Sequence, residues 1–154
     1  MEMNILLAYI GIALVAGGSF LASALALPIC GQAAVGAMKK RPESFGTYMF
    51  LSALPATQGI YGLVAFFLLW DFLTPGILLI QASAIFGVGL LMTAAGIYAS
   101  IAQAKVCANG IEATASGHNV TAITVTLAVF PELFGIFSLL VAILVSQVLP
   151  APIL

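Results

Sequence analysis

Charged residues are scarce in this chain, which has four Lys or Arg and five Asp or Glu among 154 residues. Charged side chains make up 6% of the sequence, whereas 63% of it is hydrophobic and the mean hydropathy is +1.23. Ordinary soluble domains carry about 25% charged residues. The shortage excludes a soluble globular protein, and because there is no basic stripe we expect no nucleic-acid partner. The composition predicts an integral membrane protein surrounded by lipid.

Cysteine and histidine are also rare, with two cysteines and one histidine in the whole sequence. Cys30 and Cys107 lie in apolar sequence without a nearby His or Cys, so they form no metal motif. We interpret both as inert buried thiols. The sequence also lacks a phosphate-binding loop. We therefore expect no organic cofactor and no enzymatic activity of the chain on its own.

Four long apolar runs occupy most of the sequence, at residues 5–34, 46–72, 77–110 and 120–149. A helix needs about 20 apolar residues to cross a membrane. The predicted fold class is therefore an all-α membrane protein with four transmembrane helices. The first and third runs are longer than a crossing requires, so we expect those helices to tilt or to project into the cytoplasm.

The two halves of the sequence are related by a shift of 76 residues. The aligned groups are Pro55 with Pro131, Gly59-Ile60-Tyr61 with Gly135-Ile136-Phe137, and Leu63-Val64-Ala65 with Leu139-Leu140-Val141. An internal repeat of this kind indicates a duplicated structural unit. We predict two tandem helical hairpins, residues 1–76 and 77–154, within a single membrane domain. Only the second hairpin carries a membrane carboxylate, because Glu132 aligns with Ala56.

Basic residues indicate the orientation of the chain in the membrane. Lys39, Lys40 and Arg41, three of the four, lie in the connection that follows the first run. The positive-inside rule then predicts that the loops near 39–43 and 113–119 are cytoplasmic and that both termini lie outside. The three basic residues either serve as this topology signal alone or also attract a soluble partner.

Side-chain size separates the runs. The first and third are rich in small residues, including Gly11, Gly17, Gly18, Gly87, Gly89 and Gly96, whereas the second carries Tyr48, Phe50, Tyr61, Phe66, Phe67, Trp70 and Phe72. Small residues allow helices to approach closely in lipid. The first and third helices therefore either pack within one bundle or line the inner wall of a ring, and we expect the aromatic second helix to face lipid.

Glu132 is a carboxylate near the middle of the apolar run 120–149. An ionised side chain at that depth is costly, and such residues usually bind ions or relay protons. Thr57, Gln58 and Gln103 fall within about two helical turns of the same depth when counted from the loops. Together they offer a carboxylate, two amide oxygens and a hydroxyl, a set that suits a hard cation. Tyr61, one turn after Thr57, is spaced to donate its hydroxyl to the carboxylate.

The polar residues at this depth have a second interpretation. Gln58, Gln103 and Thr57 would also be explained if they only satisfied one another through interhelical hydrogen bonds. That interpretation leaves Glu132 unexplained, because a buried carboxylate needs a proton or a cation. The single negative charge favours a monovalent cation.

At these residues the chain resembles the sixteen-kilodalton proteolipid, also called the K or c subunit, of V-type and archaeal-type rotary ATPases, including sodium-translocating members. Residues 54–62, Leu-Pro-Ala-Thr-Gln-Gly-Ile-Tyr-Gly, resemble the family's Leu-Pro-Gly-Thr-Gln-Gly-Leu-Tyr-Gly. Residues 101–105, Ile-Ala-Gln-Ala-Lys, resemble its Ile-Ala-Gln-Gly-Lys. The resemblance covers nearly the whole chain.

The resemblance implies a ring of identical subunits in the cell membrane, which turns against a static membrane subunit with an essential arginine and carries a cytoplasmic central stalk. It implies an Na+ site whose members are Leu54, Thr57, Gln58, Gln103 and Glu132, with Tyr61 steadying the acid. Na+ is favoured over H+, since a proton would need only the acid and one acceptor. Pro131 departs from the family's pattern, and because proline lacks an amide hydrogen we expect the helix to be disturbed there.

Two other functions stay open at this point. The chain could be a small multidrug-type, proton-coupled transporter of four helices, although those proteins carry their membrane glutamate in the first helix. It could also be a passive channel-forming proteolipid without energy coupling.

Overall fold

The computed structural model describes residues 2–150, which form six α-helices joined by short turns. The helices are α1 (Glu2–Ala13), α2 (Ser19–Met38), α3 (Phe45–Ala53), α4 (Thr57–Trp70), α5 (Leu79–Ala115) and α6 (Thr121–Val148). A π-helical segment, Leu14–Gly18, joins α1 to α2, and a 3-10 turn, Leu54–Ala56, joins α3 to α4. Because these segments continue the helices they join, residues 2–150 contain four membrane-length helices, and the predicted all-α fold is confirmed.

The four membrane-length helices differ in length. The first, Glu2–Met38, and the third, Leu79–Ala115, contain 37 residues each, whereas the second and fourth contain 29 and 28. At 1.5 Å per residue the longer helices extend about 55 Å, well beyond a hydrocarbon core of about 30 Å. The predicted excess length is confirmed, and the projection into the cytoplasm stays a prediction.

Glycines bring α1 and α5 into backbone contact. A Cβ atom added to Gly11 would lie 2.6 Å from the backbone nitrogen of Phe86, and one added to Gly89 would collide with the carbonyl oxygen of Gly11. Any side chain at either position would force the helices apart. Gly11 and Gly89 therefore serve close packing inside one chain, which was one of the two roles expected for the small residues. A Cβ atom added to Gly17 or Gly87 would meet nothing within 4 Å among the described residues. The second role, lining the inner wall of a ring, stays a prediction for such residues.

The aromatic residues of the second helix are divided between surface and core. Phe67 and Trp70 are exposed, as expected for a lipid-facing helix. The expectation was wrong for Tyr48, which is 0% exposed, and for Phe72, which is 8% exposed. Tyr48 is buried because it shares a helical face with Leu51, and this face packs on α2 and α5.

Two prolines in the apolar helices have different effects. Pro131 lies inside α6, which runs without interruption from Thr121 to Val148. Pro131 thus does not break the helix, because one missing amide donor can be absorbed when neighbouring helices support the backbone. A smaller local disturbance beside the acid stays a prediction. Pro55 instead lies in the 3-10 turn Leu54–Ala56, where α3 ends and α4 begins.

Candidate ion-binding site

Glu132 lies at the meeting point of three helices. Its side chain is 9% exposed on α6. The hydroxyl of Tyr61, on α4, donates a hydrogen bond to Oε1, and the amide nitrogen of Gln103, on α5, donates one to Oε2. Both carboxylate oxygens therefore receive a donor, and hydrogen bonds to an ionised acceptor are stronger than neutral ones. The hydrogen bond is the one expected for Tyr61, and the role of Tyr61 at an ion site stays a prediction.

Gln103 presents opposite ends of its amide to different surroundings. Its side chain is 2% exposed, and its Nε2 atom also donates to the carbonyl oxygen of Ala128 at 3.3 Å. Its Oε1 atom is buried and has no hydrogen-bond partner among residues 2–150. A buried carbonyl oxygen without a donor is costly. This oxygen is therefore available to accept a further hydrogen bond or to bind a cation.

Gln58 packs against the turn of α6 that follows the acid. It is 2% exposed, and a Cβ atom added to Gly135 would overlap its side-chain amide. Gly135 comes three residues after Glu132, so the amide lies about one helical turn from the acid along α6. Its Nε2 atom finds no partner within the described part of the chain. Gly135 thus provides the space that Gln58 occupies, a role that the sequence alone did not reveal.

Thr57 and Leu54 contact each other. The Thr57 hydroxyl donates to the Leu54 carbonyl oxygen at 3.0 Å, across the 3-10 turn that precedes α4. Within the described residues neither group is a hydrogen-bond partner of Glu132, whose donors there are Tyr61 and Gln103. Thr57 and Tyr61 are four residues apart on α4 and so share one face of that helix.

Ser23, on α2, is a buried residue of this region that sequence reasoning missed. Its hydroxyl donates to the carbonyl oxygens of Pro55 and Ala56, at 2.9 and 3.2 Å, and accepts from the backbone amide of Gly59 at 2.9 Å. The sequence carries no signal for Ser23, because it is one of many small residues in the first apolar run. Only its position beside the 3-10 turn distinguishes it.

Within residues 2–150, no basic side chain balances the charge of Glu132. The salt bridge in this part of the chain joins Arg41 and Glu43, at 2.9 Å on the surface. Lys105, two residues after Gln103, is exposed. The carboxylate is therefore held by two neutral hydrogen-bond donors, an environment in which a proton or a small cation would complete the charge balance.

Comparisons with known proteins agree with this architecture. The family model that describes the C subunit of ATP synthase matches the chain twice, at residues 10–69 and 86–145. The matches begin 76 residues apart, which equals the shift found in the sequence. The duplication is thus recognised independently, and the boundaries at 1–76 and 77–154 stay a prediction.

Two relatives have names that state a role. The A-type ATP synthase subunit K of Methanocaldococcus jannaschii is 34% identical over 141 residues, which are 91% of this chain and 61% of that protein. The V-type sodium ATPase subunit K of Enterococcus hirae is 31% identical over 126 residues, 82% of this chain and 81% of that protein. The chain thus spans less than two thirds of the length of the Methanocaldococcus relative. The resemblance to rotary-ATPase proteolipids is confirmed, and the chain belongs to the family of ATP synthase C subunits.

Proposed function

We propose that this chain is a rotor-ring subunit of a V-type or archaeal-type ATPase or ATP synthase, and that Glu132 carries Na+ across the membrane. The observation that carries the proposal is the arrangement of Glu132 and Gln103. The acid is buried and accepts two hydrogen bonds, while the neighbouring amide oxygen has no donor within residues 2–150. A cation that contacts both groups would neutralise the acid and satisfy the amide oxygen together.

The remaining ligands come from the first hairpin. We assign to the Na+ site the Gln58 amide, the Thr57 hydroxyl and the Leu54 carbonyl oxygen, in addition to Glu132 and Gln103. The hydrogen bond from Thr57 to Leu54 supports this assignment, because it keeps two oxygen atoms of α4 and the preceding turn close together. Oxygen ligands are those that hard cations prefer.

The transport cycle follows from the charge of the acid. A bare carboxylate would be too costly to face lipid, whereas the ion-bound acid is neutral and can pass through the lipid-exposed part of a rotation. The arginine of the static membrane subunit would attract the carboxylate after the ion has left, and the next ion would enter from the opposite side. Each chain carries one ion, since the first hairpin has Ala56 where the second has Glu132.

The orientation of the rotor protein belongs to the same proposal. The loops near 39–43 and 113–119 face the cytoplasm and the central stalk, and both termini face outward. ATP is bound and hydrolysed or made by other subunits. This chain contributes to the ring its membrane-spanning helices and the proposed ion site.

Replacement of Glu132 by glutamine tests the proposal. Glu132→Gln removes the charge and keeps the size of the side chain, so the ring should assemble while Na+ uptake coupled to ATP hydrolysis is lost. The measurements are the mass of the complex in mild detergent and radioactive Na+ uptake by proteoliposomes. Normal pumping by the variant would contradict the proposal. A dimer instead of a large ring would favour the small multidrug-type transporter.

A further inference from the structure

We propose that Ser23 positions the ion ligands of the first hairpin, although it lies on α2 and does not touch Glu132. Its hydroxyl caps the beginning of α4 from a neighbouring helix and so fixes Thr57, Gln58 and the turn before them. This inference rests on the proposed function, because the ligands are those assigned there.

The need for such a cap arises where a 3-10 turn interrupts the α-helical hydrogen-bond pattern of the second membrane helix. The 3-10 turn Leu54–Ala56 ends α3 and starts α4 in the middle of an apolar helix. The first amide groups of a helix have no partners within it, and a break also leaves carbonyl groups without their usual donors. In a membrane interior no water satisfies these groups, so other parts of the protein must do so.

Ser23 satisfies groups within the turn and in the first turn of α4. It donates to the carbonyl oxygens of Pro55 and Ala56 within the turn, and it accepts from the amide of Gly59 in the first turn of α4. The geometry is that of a helix N-cap, except that the capping side chain belongs to another helix. Ser23 is 8% exposed, so water does not readily replace it.

The groups that Ser23 holds are immediate neighbours of the assigned ligands. Leu54 precedes Pro55, while Thr57 and Gln58 lie between Ala56 and Gly59. A shift of the turn would therefore move the Leu54 carbonyl and both side chains relative to α6. Through these backbone contacts, α2 determines the distance between the first-hairpin ligands and the acid.

The second hairpin offers an internal comparison. The 76-residue shift places Ala99 at the position of Ser23, and α6 is continuous at the position of the turn. Ser23 thus occurs in the hairpin whose second helix contains the 3-10 turn, whereas Ala99 occurs in the hairpin whose second helix, α6, is continuous. This correlation supports a role for the hydroxyl at the break and not merely in packing.

Ser19 provides a matched control on the same helix. It is one turn before Ser23, 2% exposed, and its hydroxyl donates to the carbonyl oxygen of Val15 at 2.7 Å. Ser19→Ala therefore removes a buried hydroxyl from α2 without affecting a contact to the turn. Ser23→Ala removes the cap and keeps nearly the same volume.

The experiment compares the two variants and the wild type in the assembled ATPase. We expect Ser23→Ala to raise the Na+ concentration that half-protects Glu132 from carbodiimide by about tenfold, with Ser19→Ala close to wild type. The maximal rate at saturating Na+ should stay close to wild type, because only ligand position changes. Amide hydrogen exchange around Gly59, read by mass spectrometry, should accelerate in Ser23→Ala alone.

The outcomes separate this inference from the proposed function. Wild-type half-protection and wild-type exchange at Gly59 in Ser23→Ala would overturn the positioning role. If Ser19→Ala changed half-protection and exchange as much as Ser23→Ala, the positioning role would also be overturned, because the effects would then come from lost packing in α2. If Na+ fails to protect even the wild type, the sodium assignment fails, and exchange at Gly59 alone then decides whether Ser23 caps α4.

Discussion

Gln103 donates a hydrogen bond from its side-chain amide to the carboxylate of Glu132 and so joins α5 to α6 within the second hairpin. The same amide keeps its oxygen free of any donor within residues 2–150. One side chain therefore contacts the acid and also keeps an oxygen available as the ligand that we propose. The proposed ion site uses this oxygen, whereas a hydrogen bond that only joined the helices would leave it unpaired.

Loss of this amide should weaken Na+ binding. Gln103→Leu removes the donor to the acid and the free oxygen together while retaining bulk, so we expect the apparent Na+ affinity to fall at least about tenfold. The measurement is the Na+ dependence of ATP hydrolysis by the intact complex. Gln32 is an exposed glutamine in the C-terminal part of α2, so Gln32→Leu is the control and should keep the wild-type dependence. Unchanged Na+ dependence in Gln103→Leu would remove Gln103 from the site.

A methyl group at Gly135 should disturb the site through Gln58. The added Cβ would overlap the Gln58 amide, so Gly135→Ala must displace that side chain. We expect weaker Na+ binding, measured by isotope binding to purified rings. Gly46→Ala is a suitable comparison, because a Cβ there meets nothing within 4 Å in the described chain. Equal Na+ binding by both variants would show that the position of Gln58 is unimportant.

The three basic residues of the first connection, Lys39, Lys40 and Arg41, differ in their contacts. Arg41 donates to Glu43 at 2.9 Å and to the Thr114 carbonyl oxygen at 3.4 Å, so it links the two loops predicted to be cytoplasmic. Lys39 and Lys40 are exposed and are the better candidates for contact with an acidic stalk surface.

Glutamine at Lys39 and Lys40 should therefore weaken stalk attachment. The loss should be larger at low salt than at high salt, because salt already screens the attraction in the wild type. The loss of attachment is measured as the fraction of stalk subunit retained on immobilised rings at two ionic strengths. Na+ protection of Glu132 from carbodiimide checks that the ion site is intact. Retention equal to wild type at both salt concentrations would reduce the lysines to topology signals.

The sequence allowed the membrane fold to be predicted and placed several polar residues at the depth of Glu132, for different physical reasons. Apolar length identifies the four helices, since nothing else explains runs of that length. Helical rise converts residue number into position in the membrane, and on that basis Thr57, Gln58 and Gln103 were predicted at the depth of Glu132. Of these three, Gln103 hydrogen-bonds to the acid. Tyr61 was expected to reach the acid because it lies one turn after Thr57, and its hydroxyl donates to Glu132.

Other features depend on contacts between helices that no count of residues reveals. Ser23 and Gly135 act through the neighbours that face them, and a serine or glycine in a run of small residues has no distinguishing pattern. Pro55 and Pro131 look alike in sequence, yet the first lies in a turn and the second in a continuous helix. The difference lies in their surroundings, which include the Ser23 hydroxyl beside Pro55.

The central claim is that Glu132 binds Na+, and carbodiimide labelling tests it most directly. The reagent attacks the protonated acid, so a bound cation should protect Glu132. We expect millimolar Na+ at neutral pH to slow the labelling of Glu132, followed by mass spectrometry, whereas the same concentration of K+ should have little effect. A labelling rate that is the same with and without Na+ would contradict the account and would indicate a proton as the transported ion.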